Sequence, residues 1–207
     1  MLDQLPTTPL DLAVPLLSLP HRLGLLQESD LHAEPYLSAD PNRQAYWQAW
    51  LGPRQRPRIG LAWSGNPKHR NDHERSLPLA ELLRLLPEGL EYVVLQKEML
   101  EEDAALLAQT PALRRPALGD FADSAALCSQ LDLVISVDTC VAHLAGALGC
   151  PLWLVLPQNP DWRWLLARED SPWYEQIRLW RQPSHGDWPA VMTAAGRALR
   201  HVFRLPG

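Results

Sequence analysis

The sequence contains only three cysteines, which limits the chemistry that sulfur can supply. Cys128, Cys140 and Cys150 lie in apolar segments, and their spacing does not match that of metal ligands. We therefore expect all three to be buried, reduced thiols. The histidines do not indicate a metal either, because His69 and His73 lie in a loop with a proline beside it. No metal site is predicted.

Long apolar runs are also missing, because the 20 prolines interrupt every segment that approaches the length of a membrane span. The N-terminal segment lacks the basic start of a signal peptide. These two absences predict a cytoplasmic protein with no transmembrane segment. A net charge of −5 with 21% charged residues argues against a surface that binds nucleic acid.

Several familiar functional motifs are absent. The chain has neither a GxGxxG nor a Walker loop, which disfavours ordinary dinucleotide or P-loop binding. It has no GxSxG elbow for a hydrolase and no HExxH pair for a metal. Function must therefore be inferred from polar residues placed on the fold.

Strand-like and helix-like segments alternate from Arg58 onward, which is typical of a parallel sheet with right-handed crossovers. The predicted fold is α/β, a Rossmann-like parallel sheet with helices on both faces. The predicted strands are Ile59–Trp63, Glu91–Gln96, Leu131–Val137, Leu152–Leu156 and Ile177–Trp180. Helices are predicted at Asn42–Leu51, Leu79–Leu86, Glu98–Gln109, Asp120–Gln130 and Asp187–Phe203, and another follows Asp138. Residues 1–57 are predicted to be a lead-in segment and linker that packs on a domain of residues 58–207.

The segment Leu131–Pro157 is predicted to be a strand, a helix and a second strand. Asp138 is expected to cap the helix, with Val141, Leu144, Ala145 and Leu148 facing the core. Thr139, His143 and Gly146 fall on the opposite side, beside the partial positive charge of the helix N-terminus. This spacing leaves two interpretations open, a phosphate site or a capping aspartate with a solvent-exposed histidine.

Polar residues also follow the other predicted strands. Ser64, Gly65 and Asn66 come directly after the first strand, and Lys68, Arg70 and Arg75 follow as sources of positive charge for phosphate oxygens. Gln96 ends the second strand. Because the carboxyl ends of parallel strands form the ligand crevice of an open sheet, we expect these groups to converge with Asp138 and Thr139. A solvated charged loop is the alternative.

Tryptophans cluster in the last third of the chain and can either stack on a sugar or base, or pack against the sheet. Packing is favoured for Trp173, Trp180 and Trp188. Asp161 and Trp162 are predicted to contact a sugar or base, because they closely follow the carboxyl end of a strand.

The chain resembles the C-terminal, donor-binding half of GT-B glycosyltransferases of the heptosyltransferase type. It resembles more closely the glycosyltransferase-like region at the end of bacterial tetratricopeptide-repeat proteins. The resemblance covers nearly the whole chain, including the PLLSLP lead-in at 15–20. Its main residues are IGLAWSGNPKHRNDHERSLPL (59–79), VVLQK (93–97), DFADSAALCSQLDLVISVDTCVAHLAGALGCPLWLVLP (120–157) and DWRWLLAREDSPWY (161–174).

The resemblance implies that Asp138, Thr139 and His143 hold the nucleotide-diphosphate of a sugar donor, and that Ser64, Gly65, Asn66 and Lys68 approach its phosphates. It implies transfer of the sugar to an unknown acceptor, a glycan or a protein. No metal or other cofactor is expected, because a helix N-terminus and basic side chains can stabilise the leaving diphosphate.

The chain departs from the GT-B pattern in lacking most of an N-terminal half, of which residues 1–57 look like a remnant. The general base of heptosyltransferase-like enzymes comes from that half, so no catalytic base is assigned here. A partner domain or subunit is one way to supply it. The alternative function is a non-catalytic nucleotide-binding or protein-interaction module of the same fold, and a nucleotide-sugar epimerase is a weaker third.

Overall fold

The computed structural model describes residues 11–66 and 72–206, and Lys68 and Arg70 lie outside this range. The chain divides into two compact units, Met1–His32 and Ala33–Gly207. In the described part of the first unit are a 3-10 helix at Leu16–Ser18, helix α1 at Leu19–Arg22 and a 3-10 helix at Glu28–Asp30. The sheet and the candidate site both lie in the second unit.

Six strands form one parallel sheet in the second unit, which confirms the predicted fold class. The order β3-β2-β1-β4-β5-β6 is that of a doubly wound Rossmann-like sheet. The strands are β1 (Arg58–Ala62), β2 (Glu91–Val94), β3 (Leu113–Arg114), β4 (Leu133–Val137), β5 (Leu152–Leu156) and β6 (Ile177–Arg181). Every residue of β1, β4 and β5 is buried, which explains why these strands read as continuous apolar runs.

Alternate strand residues point into two separate cores, one on each face of the sheet. One core contains Val134 and receives side chains from α2 (Pro41–Leu51), α6 (Phe121–Cys128) and α7 (Cys140–Ala147). The other contains Leu133 and Ile135 and receives side chains from α4 (Leu79–Leu85), α5 (Glu101–Ala108) and α8 (Trp188–Val202). Helices therefore cover both faces, as predicted. None of the described helices is both long and apolar enough to cross a bilayer.

Strand β3 and helix α3 (Asp72–Arg75) are among the short elements that escaped prediction. Strand β3 has only two residues, too few for a hydrophobic pattern, and exists by pairing with β2. Helix α3 lies in the segment predicted as a charged loop. Some other boundaries differ: β1 ends before Trp63, β2 ends at Val94, and β4 begins at Leu133. Ends of elements fray, so small differences of this kind are expected.

Helix α2 packs on α6 and so belongs to the same unit as the sheet. It ends at Leu51 as predicted and begins at Pro41, one residue before the predicted start. Asp40 accepts a hydrogen bond from the backbone N–H of Arg43, and Gly52 closes the helix with a positive φ. The indole N–H of Trp47 donates to Asp123 of α6 at 3.3 Å. The origin of residues 1–57 as a remnant of another half stays a prediction.

We expect Trp47→Ala to lower the free energy of unfolding by about 3–5 kcal/mol, because it removes a buried indole and leaves a cavity between α2 and α6. Urea unfolding followed by circular dichroism measures this change. Gln48→Ala is the matched control, since its side chain is exposed on the same helix and should change stability by about 0.5 kcal/mol or less. Equal losses in both variants would contradict the docking of α2.

Candidate functional site

A cavity of about 720 Å³ lies at the carboxyl edge of the sheet, where ligands bind in open parallel folds. It is bounded by residues that follow β4 and β5, by α3, and by the segment that leads to β6. Its lining residues are Tyr36, Glu74, Arg75, Asp138, Thr139, Cys140, His143, Pro157, Asn159, Pro160, Asp161, Arg163 and Tyr174. The structure thus brings together Asp138, Thr139, His143 and Asp161 from the predicted site.

Helix α7 begins at this cavity, but its start differs from the prediction. Thr139, not Asp138, is the N-cap residue, and no side-chain cap forms there. The Thr139 hydroxyl instead lies 3.1 Å from the hydroxyl of Ser136, and both residues are buried. This hydrogen bond gives both buried hydroxyl groups a partner, so the Thr139 hydroxyl is already bonded within the protein before any ligand binds.

The faces of α7 also differ from the prediction. Ala145 faces the core as expected. Ala142 also faces the core, whereas Leu144, which was predicted to do so, is not part of the buried cluster. Val141 and Leu148 are half-buried at the margin of the core. Gly146 was assigned to the polar side, yet it is buried against the ring of Tyr174. The small residues allow the helix to lie close to its neighbours, which leaves no room for a broad stripe of leucines.

His143 has close neighbours on several sides, so the interpretation of a simply solvent-exposed histidine is wrong. Its Nδ1 lies 2.9 Å from the hydroxyl of Tyr174. Its Nε2 lies 3.6 Å from Oδ1 of Asp138, which is longer than a hydrogen bond. The ring stacks on Trp164 at 5.4 Å with an interplanar angle of 20°. With 38% of its side chain exposed, His143 is held in place while still facing the cavity.

The carboxylate of Asp138 is mostly buried, with 15% of its side chain exposed. Burial is the largest single influence and raises its pKa, but the contact with His143, the nearby indole N–H of Trp164 and the charge of Arg75 together outweigh burial. The pKa of Asp138 is therefore lowered and the carboxylate stays ionised. The Trp164 N–H is buried and makes no hydrogen bond to any described residue, so its effect on Asp138 is electrostatic.

The segment Ser64–Asn66 supports the cavity without lining it. The backbone N–H of Gly65 donates to the hydroxyl of Ser76, which in turn donates to Asp72. Asp72 accepts from Nε of Arg75 at 3.0 Å, and Nη1 of Arg75 donates to the backbone carbonyl of Asp138 at 3.0 Å. This chain of contacts aims Arg75 at the cavity. The predicted phosphate contacts of Ser64, Gly65 and Asn66 stay a prediction.

Gln96 lies at a different place on the same sheet edge. Its Oε1 accepts from the backbone N–H groups of Trp63 and Ser64, each at 3.2 Å. It also borders a second cavity of about 580 Å³ at the ends of β2 and β3. That cavity is lined by Val94, Gln96, Lys97, Met99, Arg115, Pro116, Ala117 and Leu118. Gln96 therefore joins the turn after β1 to this second cavity.

Asp161 and Trp162 play different parts. Asp161 caps the 3-10 helix Trp162–Trp164 and forms an ion pair of 2.7 Å with Arg163, which also lines the cavity. Trp162 is 62% exposed and rests edge-on against Trp173 outside the cavity lining. Packing is confirmed for Trp173, Trp180 and Trp188, all of which contact one of the two cores.

Sequence reasoning missed Tyr36, Arg163 and Tyr174 as cavity residues. The last two fall within DWRWLLAREDSPWY, a stretch that carried the family resemblance, so that pattern was the available signal. Cys140 was predicted to be buried, and this was wrong: it is exposed at the start of α7 and lines the cavity, whereas Cys128 and Cys150 are buried. Cys140 is exposed because it is the first residue of α7, which begins at the cavity.

Comparison with solved structures identifies the fold as glycosyltransferase-like. A family 9 glycosyl transferase from Veillonella parvula superposes with a TM-score of 0.61 at 11% identity, over 89% of this chain and 57% of that one. E. coli heptosyltransferase WaaC, solved with ADP-2-deoxy-2-fluoro heptose, gives 0.54 at 15% identity, over 77% and 47%. E. coli ADP-heptose LPS heptosyltransferase II gives 0.51 at 17% identity, over 84% and 57%.

One curated relative is similar in sequence. Protein FlbA of Caulobacter vibrioides is 31% identical over 176 residues, which is 80% of this chain and 29% of FlbA. The chain therefore spans less than a third of that protein. No family model matches the chain. The comparisons thus identify the fold, and the chemistry of the cavity must be argued from its own residues.

We expect Asp138→Asn to lower the free energy of unfolding by about 1–2 kcal/mol near neutral pH, because it removes a carboxylate held by charged and polar neighbours. The lowered pKa means that this stabilisation is present above the ordinary carboxyl pKa of 3.8 and is lost as pH falls through the lower folded value. The difference between wild type and variant should therefore shrink toward and below pH 3.8. Urea unfolding at a series of pH values measures it.

The control is Glu175→Gln, an exposed carboxylate of the segment leading to β6. It should show little loss at any pH. A stability difference for Asp138→Asn that stays constant as the solution is acidified would contradict the ionised, neighbour-held carboxylate.

Proposed function

We propose that this chain is the donor-binding half of a GT-B-type glycosyltransferase and that its cavity holds the nucleotide-diphosphate of a sugar donor. One observation carries the proposal: the cavity combines a helix N-terminus, two guanidinium groups and a held histidine at the carboxyl edge of a glycosyltransferase-like sheet. The solved neighbours of this fold include an enzyme bound to an ADP-sugar analogue, which supports a ligand of the same class.

The diphosphate would lie at the start of α7. The backbone N–H groups of the first turn carry partial positive charge, and no side chain caps them. Arg75 and Arg163 border the same cavity, and each is oriented by an ion pair, with Asp72 and Asp161 respectively. Guanidinium groups fixed in this way lose little entropy when they bind phosphate oxygens.

The sugar and the nucleoside would use other groups of the same edge. Carboxylates accept hydrogen bonds from sugar hydroxyls, and Glu74, Asp138 and Asp161 all border the cavity. Trp162, exposed beside Asp161, offers an aromatic face for stacking. The second cavity, with Gln96 at its margin and Met99 and Leu118 in its lining, suits the flat apolar faces of a base.

The charge balance indicates that the described residues are not a complete site. Three carboxylates border the cavity, and only two guanidinium groups oppose them. A diphosphate therefore needs further positive charge, and the candidates from the sequence are Lys68 and Arg70, which lie outside the described residues. The chain also spans only about half of the solved neighbours, so we propose that another half or subunit supplies the catalytic base and binds the acceptor.

A non-catalytic interaction module is the second candidate. Apolar side chains are exposed close to the cavity in the described segment after β5, at Trp162, Leu165 and Leu166. Such a patch suits a protein partner. Concentration-dependent association, with no effect of nucleotides on the melting temperature, would favour this candidate. The further likeness to tetratricopeptide-repeat proteins stays a prediction, which the coding sequence upstream of residue 1 would test.

We expect His143→Ala to weaken nucleotide-diphosphate binding by about tenfold or more, because it removes a polar ring fixed at the start of the diphosphate site. Titration calorimetry with UDP, ADP and GDP measures the affinity. His201→Ala is the matched control, because this histidine is exposed at the end of α8. Thermal melting should show that both variants remain folded.

Two outcomes would count against this proposal. If none of the three nucleotides binds the wild-type chain, its donor-binding function is wrong. If His143→Ala and His201→Ala bind equally well, the nucleotide binds elsewhere. Because helix N–H groups and guanidinium groups would hold the phosphates, the affinity should also stay the same when EDTA replaces magnesium.

A further inference from the structure

We propose that Tyr174 is the positioning residue of this site: its hydroxyl fixes the ring of His143 in the tautomer that presents an N–H to the ligand. The effect on ligand binding rests on the proposed donor-binding function, but the positioning of His143 by Tyr174 can be tested without any ligand. It assigns a role to a residue 31 positions away from His143 in the sequence.

The geometry restricts the two ring nitrogens of His143 to different partners. Nδ1 lies 2.9 Å from the Tyr174 hydroxyl, within hydrogen-bond distance. Nε2 lies 3.6 Å from Oδ1 of Asp138, and both residues line the cavity. A neutral imidazole carries one proton, so its position on Nδ1 or Nε2 decides whether the ring offers the cavity a donor or an acceptor.

Asp138 decides the tautomer, because the Tyr174 hydroxyl can either donate to Nδ1 or accept from an Nδ1–H. The carboxylate of Asp138 is ionised and can only accept, so a lone pair on Nε2 would face a negative charge. The hydroxyl of Tyr174 keeps its proton, because burial first and then the contact with Tyr36 raise its pKa. It can therefore donate to Nδ1. The other charged groups that border this cavity are Arg75, Glu74, Asp161 and Arg163.

The resulting Nε2–H is available to a ligand. At 3.6 Å its contact with Asp138 is too long for a good hydrogen bond, so an entering phosphate or hydroxyl oxygen can accept it without displacing a strong partner. In the opposite tautomer the same nitrogen would repel a phosphate oxygen. By donating to Nδ1, the Tyr174 hydroxyl thus stabilises the tautomer in which His143 offers an N–H to the phosphates of a donor.

Gly146 makes this arrangement sterically feasible. It lies one turn after His143 on α7, and a Cβ there would meet the Tyr174 ring at 2.5, 2.6 and 2.8 Å, closer than real Cβ contacts. The φ of Gly146 is not in the left-handed region, so space rather than backbone conformation requires glycine. Gly146 therefore leaves space for the ring of Tyr174 to pack against α7, in the position where the Tyr174 hydroxyl contacts His143.

The test uses Tyr174→Phe, which keeps the ring and removes only the hydroxyl. Long-range ¹H–¹⁵N NMR of the ligand-free chain reports the tautomer of each histidine, and His143→Ala assigns the signal. We expect the Nε2–H tautomer in the wild type and a mixture in Tyr174→Phe. Tyr92→Phe is the matched control, because Tyr92 is equally buried, at 6% exposed, and loses a hydroxyl bonded to the Pro87 carbonyl.

The consequence for binding is measured by calorimetry with ADP, UDP and GDP. Tyr174→Phe should weaken binding by about fivefold, the effect of one lost hydrogen bond, whereas Tyr92→Phe should not. The double variant Tyr174→Phe with His143→Ala should bind no more weakly than His143→Ala alone, because the hydroxyl acts through the ring.

The two proposals fail in different ways. An Nδ1–H tautomer in the wild type, or a tautomer unchanged in Tyr174→Phe, overturns the role of Tyr174 even if nucleotides bind. The expected tautomers without nucleotide binding support the positioning by Tyr174 and overturn the donor site. If Tyr174→Phe does not fold, the wild-type tautomer decides, since Nδ1–H alone is enough to overturn the inference.

Discussion

The burial of the Asp138 carboxylate is the constraint on which the candidate site depends. A charged group taken out of water at the end of β4 is stable only if neighbouring groups replace the lost solvation. The replacement comes from separate elements: Arg75 of α3 binds the backbone carbonyl, and His143 of α7 contacts the carboxylate. Trp164 of the 3-10 helix adds its indole dipole. These elements meet at Asp138, and together they form part of the cavity wall.

Much of the fold was predictable because each face of the sheet is covered. Strands buried on both faces appear in the sequence as continuous apolar runs, and Leu152–Leu156 was predicted with its correct bounds. The missed elements β3 and α3 carry no such signal. β3 exists through its pairing with β2, and α3 is a single charged turn, DHER, held by the ion pair of Arg75 with Asp72. Contacts with other elements, not local pattern, define both.

The candidate site also depends partly on local sequence pattern and partly on contacts between distant elements. Asp138, Thr139 and His143 lie within six consecutive residues at the start of α7, so their spacing alone suggested that they act together. Arg75 is 63 positions from Asp138, and Tyr174 is 31 from His143, and only the fold brings these pairs together. Thr139 shows that residues close in sequence can also mislead a prediction. Its hydroxyl was expected to face a ligand, yet it lies 3.1 Å from the hydroxyl of Ser136, three residues earlier in β4, and is engaged inside the fold.

Two glycines show why a ligand-free chain can already have an organised site. The φ of Gly65 is not left-handed, so space rather than backbone conformation requires glycine there: a Cβ would collide with Asp72 and Arg75. Gly146 makes the same kind of space for Tyr174. In both cases the absent side chain lets a polar group pack into a single orientation, Arg75 on one side of the cavity and Tyr174 on the other. Because these groups are ordered by packing on the protein itself, a ligand that uses them does not have to order them.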